Sequence, residues 1–307
     1  MPIKHLVMSG GGPTMLQTLG ALYHLTSQHF VNLEEIETIY GTSAGAIIGV
    51  CIALKFDWET INDYILKRPW QDVFPIKVQN ILDAYTKKGI FDNRNIEKCF
   101  KPLFDAKDLP IDINLSDFYE FTKVELHFFA FEVNEYKVED ISYLTHPTLP
   151  VVTAIQMTSA LPILVSPVCI DGKCYIDGGT NCNYPLNFCI ESGKIRDEIL
   201  GFKNKYSETK NNITNESTLL QFLTSFLYKA VFSLSTHDIQ PSIKNEVICD
   251  VSHLNFDFLK DAVTNYEVRK SLFENGVSAG ETFLQNATKE DPRLEDPRLE
   301  NCIQELN

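Results

Sequence analysis

Gly41-Thr42-Ser43-Ala44-Gly45 sets a serine between two glycines at the G-x-S-x-G spacing, where a strand turns sharply into a helix and exposes the hydroxyl as a nucleophile. Asp177 is followed directly by Gly178 and Gly179, so a carboxylate ends a strand-like run with no side chains behind it to obstruct a close approach. Gly10-Gly11-Gly12 frees successive backbone N–H groups to converge on one anion. A serine at its own pKa is a poor nucleophile. A neighbouring acceptor has to take its proton and return it, while converging donors hold the negative charge that develops on the attacked carbonyl oxygen. Ser43 offers the nucleophile, the three glycines an oxyanion hole or a phosphate cradle, and Asp177 a carboxylate free to approach another turn.

The elements that must position them are legible on either side. An apolar, β-rich run over 3–9 delivers into the triple glycine, and a helical pattern over 13–30 follows it, with Pro13 suited to the first turn. A second strand-like run over 35–40 precedes Ser43, and the apolar stretch 44–54 continues it as a helix, so the hydroxyl sits at a helix N-terminus where partial positive charge favours an alkoxide. Asp171-Gly172 between two short β-rich runs predicts a hairpin whose second strand ends at Asp177.

Five motifs in this order resemble the patatin-like phospholipase family: Gly10-Gly11-Gly12, Gly41 to Gly45 around Ser43, Ser159-Ala160-Leu161-Pro162 with Pro167, Asp177-Gly178-Gly179, and Asn183 with Pro185. The resemblance covers about 3–203. It implies a three-layer α/β/α fold with a central, mostly parallel sheet and a Ser43–Asp177 dyad without histidine. It also implies an oxyanion hole of Gly10, Gly11 and Gly12, with Gly41, Gly45, Gly178 and Gly179 supporting the turns. The implied substrate is a phospholipid or other acyl ester, with no cofactor and no metal. One departure stands out. The family carries Arg or Lys and then Gly shortly after the triple glycine, whereas this chain has Thr14 and Met15. The expectation is a weaker hole, less backbone freedom at 15, and reduced activity or an unusual substrate.

Two other chemistries compete. The glycine loop is also a phosphate cradle in outline, but its spacing fits neither G-x-G-x-x-G nor a P-loop. A Ser-His-Asp triad would draw on His237 or His253, the two histidines after Asp177, and both read as surface or capping residues. His5, His24, His29, His127 and His146 precede Asp177 without convincing ligand spacing. Neutral lipase or transacylase activity is a close variant, and a non-catalytic lipid- or protein-binding module on the same fold is the alternative from another class.

The 307 residues carry a formal net charge of −14, which disfavours nucleic acid and attraction to anionic lipid. Contact with a membrane then needs an apolar face, a local basic patch or an activating protein partner. The eight cysteines lack C-x-x-C pairing, and no signal-like N-terminus is evident; both suggest reduced thiols in a cytoplasmic protein, peripheral on membranes at most. Cys169 and Cys174 flank the predicted hairpin turn, where they read as half-buried thiols that could cross-link on oxidation.

The expected organisation is a catalytic core over 1–206, a flexible polar insert over 207–217, a helical part over 218–288 packed on the core or forming a lid, and a charged tail over 289–307 that repeats Glu-Asp-Pro-Arg-Leu. Within the helical part, Gln221, Ser225, Lys229 and Ser233 recur every four residues, which predicts a narrow polar stripe on an otherwise apolar helix. Smaller signals include a helix capped by Asp57 and ending before Pro69, helices over 96–104 and 151–160, and a strand over 124–133.

Overall fold

A computed structural model of the chain describes residues 1–206, 213–236, 240–251 and 255–290. The expected His237 and His253, most of the polar insert, and the repeated tail beyond Glu290 lie outside the described residues. The strands are β1 (His5–Met8), β2 (Thr38–Thr42), β3 (Gly89–Phe91), β4 (Glu125–Glu132), β5 (Lys137–Ile141), β6 (Ile163–Val165), β7 (Val168–Ile170), β8 (Lys173–Asp177), β9 (Ile199–Tyr206) and β10 (Glu246–Val251). The first helices are α1 (Met15–Ser27), α2 (Ala44–Ala53), α3 (Trp58–Asn62), α4 (Trp70–Val73), α5 (Val78–Lys87) and α6 (Asn93–Asp105). After them come α7 (Leu115–Thr122), α8 (Val151–Ser159), α9 (Leu186–Glu191), α10 (Leu219–Thr236), α11 (Phe256–Thr264) and α12 (Tyr266–Glu290).

The main sheet runs β10-β9-β1-β2-β4-β8-β7, with β5 also on β4, and its first five strands are mutually parallel. Strand β1 explains why both faces are covered. Leu6 and Met8 enter the larger apolar core with α1, α2 and α8, while Val7 points to the opposite face, where Leu186 and Cys189 of α9 pack with Tyr40 and Phe129. The architecture is therefore helix, sheet, helix, with the heavier helical layer on one side.

Pairing along β4 decides where the ends of β2 and β8 fall. Its residues 128–132 pair with β5 on one edge. The other edge takes β2 alongside 125–129 and β8 alongside 130–132. Since β2 is parallel and β8 antiparallel to β4, the two strands run toward each other: Thr42 is paired with Phe129, and Asp177 with Ala130.

The local signals hold in detail. Asp171 and Gly172 both have positive φ, 52° and 80°, as a two-residue primed hairpin turn requires. Asp57 caps its helix by accepting the Thr60 N–H at 2.8 Å. Two expectations need correction. Cys169 and Cys174 are opposed across the hairpin with Cα atoms 4.1 Å apart, and the structure joins them as a disulfide rather than leaving two thiols. The stretch 218–288 is also not purely helical. Glu246–Val251 alternates buried and exposed residues and pairs with β9 at six positions along the sheet edge, a strand the sequence does not signal because it is short and isolated among helices.

Helix α12, the last among the described residues, is built into the core. In α12, Leu272, Gly276 and Gly280 form a buried stripe at helical spacing, and its two glycines lie against α1. The two backbones touch at a pair of glycines: a Cβ on Gly276 would lie 2.0 Å from the Gln17 carbonyl oxygen, and one on Gly20 would lie 2.0 Å from that of Phe273. Helix propensity alone favours replacing a mid-helix glycine by about 1 kcal/mol, but backbone atoms cannot yield as a side chain can. Gly276→Val is therefore expected to lower stability by about 2 kcal/mol or more, read from the urea midpoint. A raised midpoint would show that α12 does not bear on α1 at this crossing.

Candidate active site

Thr42 ends β2 and Ala44 begins α2, leaving Ser43 alone in the turn with φ 52° and ψ −119°, a conformation rare for a residue with a side chain. The surroundings impose it. A Cβ at Gly45 would sit 2.4 Å from the Met8 carbonyl oxygen and one at Gly41 would sit 2.6 Å from the Ala46 nitrogen, so only glycines let strand and helix fold back this tightly. The Ser43 N–H is held at 2.9 Å by the Thr158 hydroxyl, which itself donates to the Phe129 carbonyl at 2.5 Å. Thr42 is pinned in turn by its hydroxyl donating to the Cys182 carbonyl.

The head-on approach of β2 and β8 brings the two side chains together. Ser43 Oγ donates to Asp177 Oδ2 at 2.6 Å, and Asp177 Oδ1 accepts the Gly179 N–H at 2.8 Å. Both residues are buried, at 8% and 6% exposure. Burial pushes the Asp177 carboxyl up to about 6, and the hydrogen bonds from Ser43 and Gly179 pull only partly the other way. An aspartate that ionises near 6 is a stronger base than one at the ordinary 3.8, and it remains charged at neutral pH.

Ser43 and Asp177 open into a cavity of about 570 Å³, within the usual range for a small-molecule pocket. Its walls are mainly apolar and come from α2, α4, β3 and α6, including Ile47, Trp70, Phe74, Phe91 and Phe100. Gly11 and Gly12 border the cavity, so the structure gathers the glycine turn, the serine and the aspartate. No histidine among the described residues lines it. His127 is buried elsewhere, stacked 4.2 Å from Tyr40 and bonded through Nδ1 to Asp140. Among the described residues, no group of three or more His, Cys, Asp or Glu side chains is placed to hold a metal.

Helix α10 stands beside this site, next to the Gly178–Thr180 turn and α11, and contributes Tyr228 and Lys229 to the cavity. Its orientation differs from the predicted polar stripe. Ser225 is buried, whereas Leu219, Phe222 and Phe226 are exposed at 73%, 46% and 62%, in line with exposed Lys229 and Ser233. Thr224 is buried with Ser225 and satisfies its hydroxyl within the helix by donating to the Leu220 carbonyl. Among the described residues, no helix is long and apolar enough to cross a membrane.

Three contributors went unread in the sequence. Thr158 adjoins the Ser159-Ala160-Leu161-Pro162 motif, which was its only signal. Asn204 and Tyr206, at the end of β9, reach the carbonyl of Gly10 from almost 200 residues away, and no spacing rule links them to it. Met15, in place of the resemblance's glycine, has ordinary right-handed helical angles (φ −52°, ψ −26°), so no glycine freedom is needed there.

A mostly parallel α/β sheet with a serine at a strained strand-to-helix turn, a buried carboxylate against it and a large apolar pocket is the framework of a hydrolase acting on lipid esters. The chain belongs to the patatin-like phospholipase family, whose sequence model it matches over residues 6–190. It is 26% identical over 217 residues to the probable lipid hydrolase 463L of Invertebrate iridescent virus 6, spanning 68% of this chain and 73% of that protein. It is 22% identical over 287 residues to the uncharacterized protein R571 of Acanthamoeba polyphaga mimivirus, spanning 90% of this chain and 92% of that one. The crystal structure of VipD from Legionella pneumophila superposes with a TM-score of 0.54 at 16% identity, covering 93% of this chain and 67% of VipD, a likeness of fold.

Burying an ionised carboxylate has a measurable consequence for stability. Asp177 binds its proton more tightly folded (about 6) than unfolded (3.8), so its own contribution to stability is fully present below pH 3.8 and is lost as pH rises through 6. The loss amounts to about 3 kcal/mol at neutral pH. Asp177→Asn removes this loss. It is expected to unfold later than the wild type at pH 8 and to show no such advantage at pH 3.5, read from denaturant midpoints at the two pH values.

Proposed function

We propose that the protein cleaves fatty-acyl esters of glycerophospholipids, as a phospholipase A or lysophospholipase, through a Ser43–Asp177 dyad. The observation that carries this reading is the 2.6 Å hydrogen bond from Ser43 Oγ to a buried, basic carboxylate at the floor of an apolar cavity. The acyl chain lies along the apolar wall. Ser43 Oγ attacks the ester carbonyl carbon as its proton passes to Asp177 Oδ2, and the Gly11 and Gly12 N–H groups hold the oxyanion, the Gly10 N–H being engaged with the Asn183 carbonyl at 3.0 Å. Collapse expels the alcohol, which takes the proton from Asp177 and leaves an acyl-serine. Water then attacks the acyl-serine with Asp177 as base, releasing the fatty acid and restoring the Ser43 hydroxyl. Lys229 and Lys260, both exposed and bordering the cavity, favour a phosphate-bearing headgroup over a neutral lipid. The 463L relative, a probable lipid hydrolase, agrees with the substrate class.

Ser43→Ala and Asp177→Asn should each cut ester hydrolysis by about 10³-fold or more, with little further loss in the double variant, because the pair acts as a unit. His237→Ala and His253→Ala should retain activity, and excess chelator should leave turnover unchanged. Since the base must be ionised, kcat/KM should rise with pH through about 6 and then level off. Folded Ser43→Ala protein with near-normal turnover overturns the assignment. A silent binding module would instead leave Ser43 unlabelled by a fluorophosphonate.

The outward stripe of α10 is the face we expect to meet lipid, since it exposes Phe222 and Phe226 beside the cavity on a protein whose net charge of −14 repels anionic bilayers. Phe222→Asp with Phe226→Asp should lower activity on zwitterionic vesicles by about 10-fold and spare a soluble short-chain ester. Equal loss on both substrates together with earlier melting would return the helix to a purely structural role.

A further inference from the structure

The glycine turn has no cation at the place where the family resemblance implies one, and a neutral hydrogen-bond network occupies its surroundings. The Gly10 carbonyl oxygen accepts from three donors: Asn204 Nδ2 at 2.9 Å, the Tyr206 hydroxyl at 3.1 Å and Asn183 Nδ2 at 3.2 Å. The Gly11 carbonyl oxygen accepts the Thr14 hydroxyl at 3.0 Å, and that hydroxyl accepts Asn204 Nδ2 at 3.1 Å. Thr14, in the position expected for Arg or Lys, is 1% exposed.

Topology explains how distant residues reach this turn. Strand β9 is paired with β1 from Ile199 to Phe202, then continues to Tyr206 after β1 has ended at Met8. Asn204 and Tyr206 are two residues apart, hence on one face of β9, and that face overhangs the turn. The fit is tight: a Cβ on Gly11 would lie 2.2 Å from Thr14 Oγ1 and 2.5 Å from Asn204 Nδ2.

A planar trans peptide points its C=O and the following N–H in opposite directions. Holding the Gly10 oxygen therefore orients the Gly11 N–H, and holding the Gly11 oxygen orients the Gly12 N–H. We infer that Asn204, Tyr206 and Thr14 are positioning residues for the oxyanion hole, gripping the Gly10 and Gly11 carbonyls so that the Gly11 and Gly12 N–H groups are aimed at the oxyanion formed at Ser43. The inference rests on the acyl-transfer reading of Ser43 proposed above. It also accounts for the missing cation, because donors fixed before reaction stabilise charge without a formal charge of their own.

Two details favour orientation over simple packing. The Asn204 Oδ1 is buried with no hydrogen-bond partner in the protein, so the amide is turned to spend its nitrogen on Gly10 and Thr14 and leaves its own oxygen unsatisfied. Burial raises the Tyr206 phenol above its ordinary value, which keeps it a protonated donor to Gly10 at any working pH.

The test compares Asn204→Leu, Tyr206→Phe and the pair Thr14→Val and Thr14→Ser in the full chain. Hydrolysis of a soluble p-nitrophenyl ester is measured beside the rate at which a fluorophosphonate labels Ser43. Loss of aim should lower kcat by about 10- to 100-fold with KM unchanged, and should slow labelling in parallel, since the phosphonyl oxygen uses the same N–H groups. Thr14→Ser should recover most of the rate that Thr14→Val loses, and the pH midpoint set by Asp177 should stay in place. If Asn204→Leu fails to fold, Tyr206→Phe and the Thr14 pair decide alone. Unchanged kcat in folded variants, or a rise in KM at constant kcat, overturns the positioning role and leaves the dyad reading intact. Wild-type Ser43 that resists labelling, with hydrolysis surviving Ser43→Ala, overturns the dyad reading itself.

Discussion

One edge of β4 governs the molecule. Two strands arrive along it from opposite directions, β2 ending beside Phe129 and β8 ending beside Ala130, so their terminal residues face each other across a single step of the ladder. Serine and aspartate, 134 positions apart in the chain, are brought to 2.6 Å by backbone pairing and not by a flexible loop. The Phe129 carbonyl ties the two ends together: it accepts the Thr158 hydroxyl that holds the Ser43 N–H, and it lies where only a glycine at 178 fits, 2.1 Å from a notional Cβ. A site on rigid strand ends holds its geometry better than one on loops.

The same convergence places a carboxylate at the edge of the cavity with little of it exposed to water. Burial makes Asp177 a better base and also makes it a burden on the folded state, a conflict common where reactive groups are desolvated. The surrounding fold offsets that cost with a core that spans both faces of the sheet and a 25-residue final helix locked onto α1 through paired glycines. Residues beyond the family match are thus part of the same body. β10 extends the sheet, Arg269 is buried with its guanidinium on the carbonyls of Leu66, Ala262 and Val263, and α10 and α11 border the cavity.

Much of this was legible in the chain because it depends on local geometry. Gly-x-Ser-x-Gly, Asp-Gly-Gly and Asp171-Gly172 each state a backbone conformation within a few residues, and hydrophobic periodicity states which segments are strands or helices. The burial pattern of α10 was not legible. Periodicity shows that Thr224 and Ser225 share a side with other residues, but whether small polar or large apolar side chains turn inward depends on how closely the neighbouring turn approaches. The opposed cysteines were placed by the turn, while their joining was settled by the pairing register.

What the amino-acid sequence determined by itself was the set of turns and the residue that each presents, because a φ/ψ requirement is written into neighbouring residues. What only the tertiary structure decided was contact between distant segments: Ser43 with Asp177, Thr158 with the Ser43 N–H, and Asn204 and Tyr206 with the Gly10 carbonyl. Those contacts follow from strand order and from how far each strand outruns its neighbour, quantities set by the packing of the whole sheet that leave no mark at any single position in the chain.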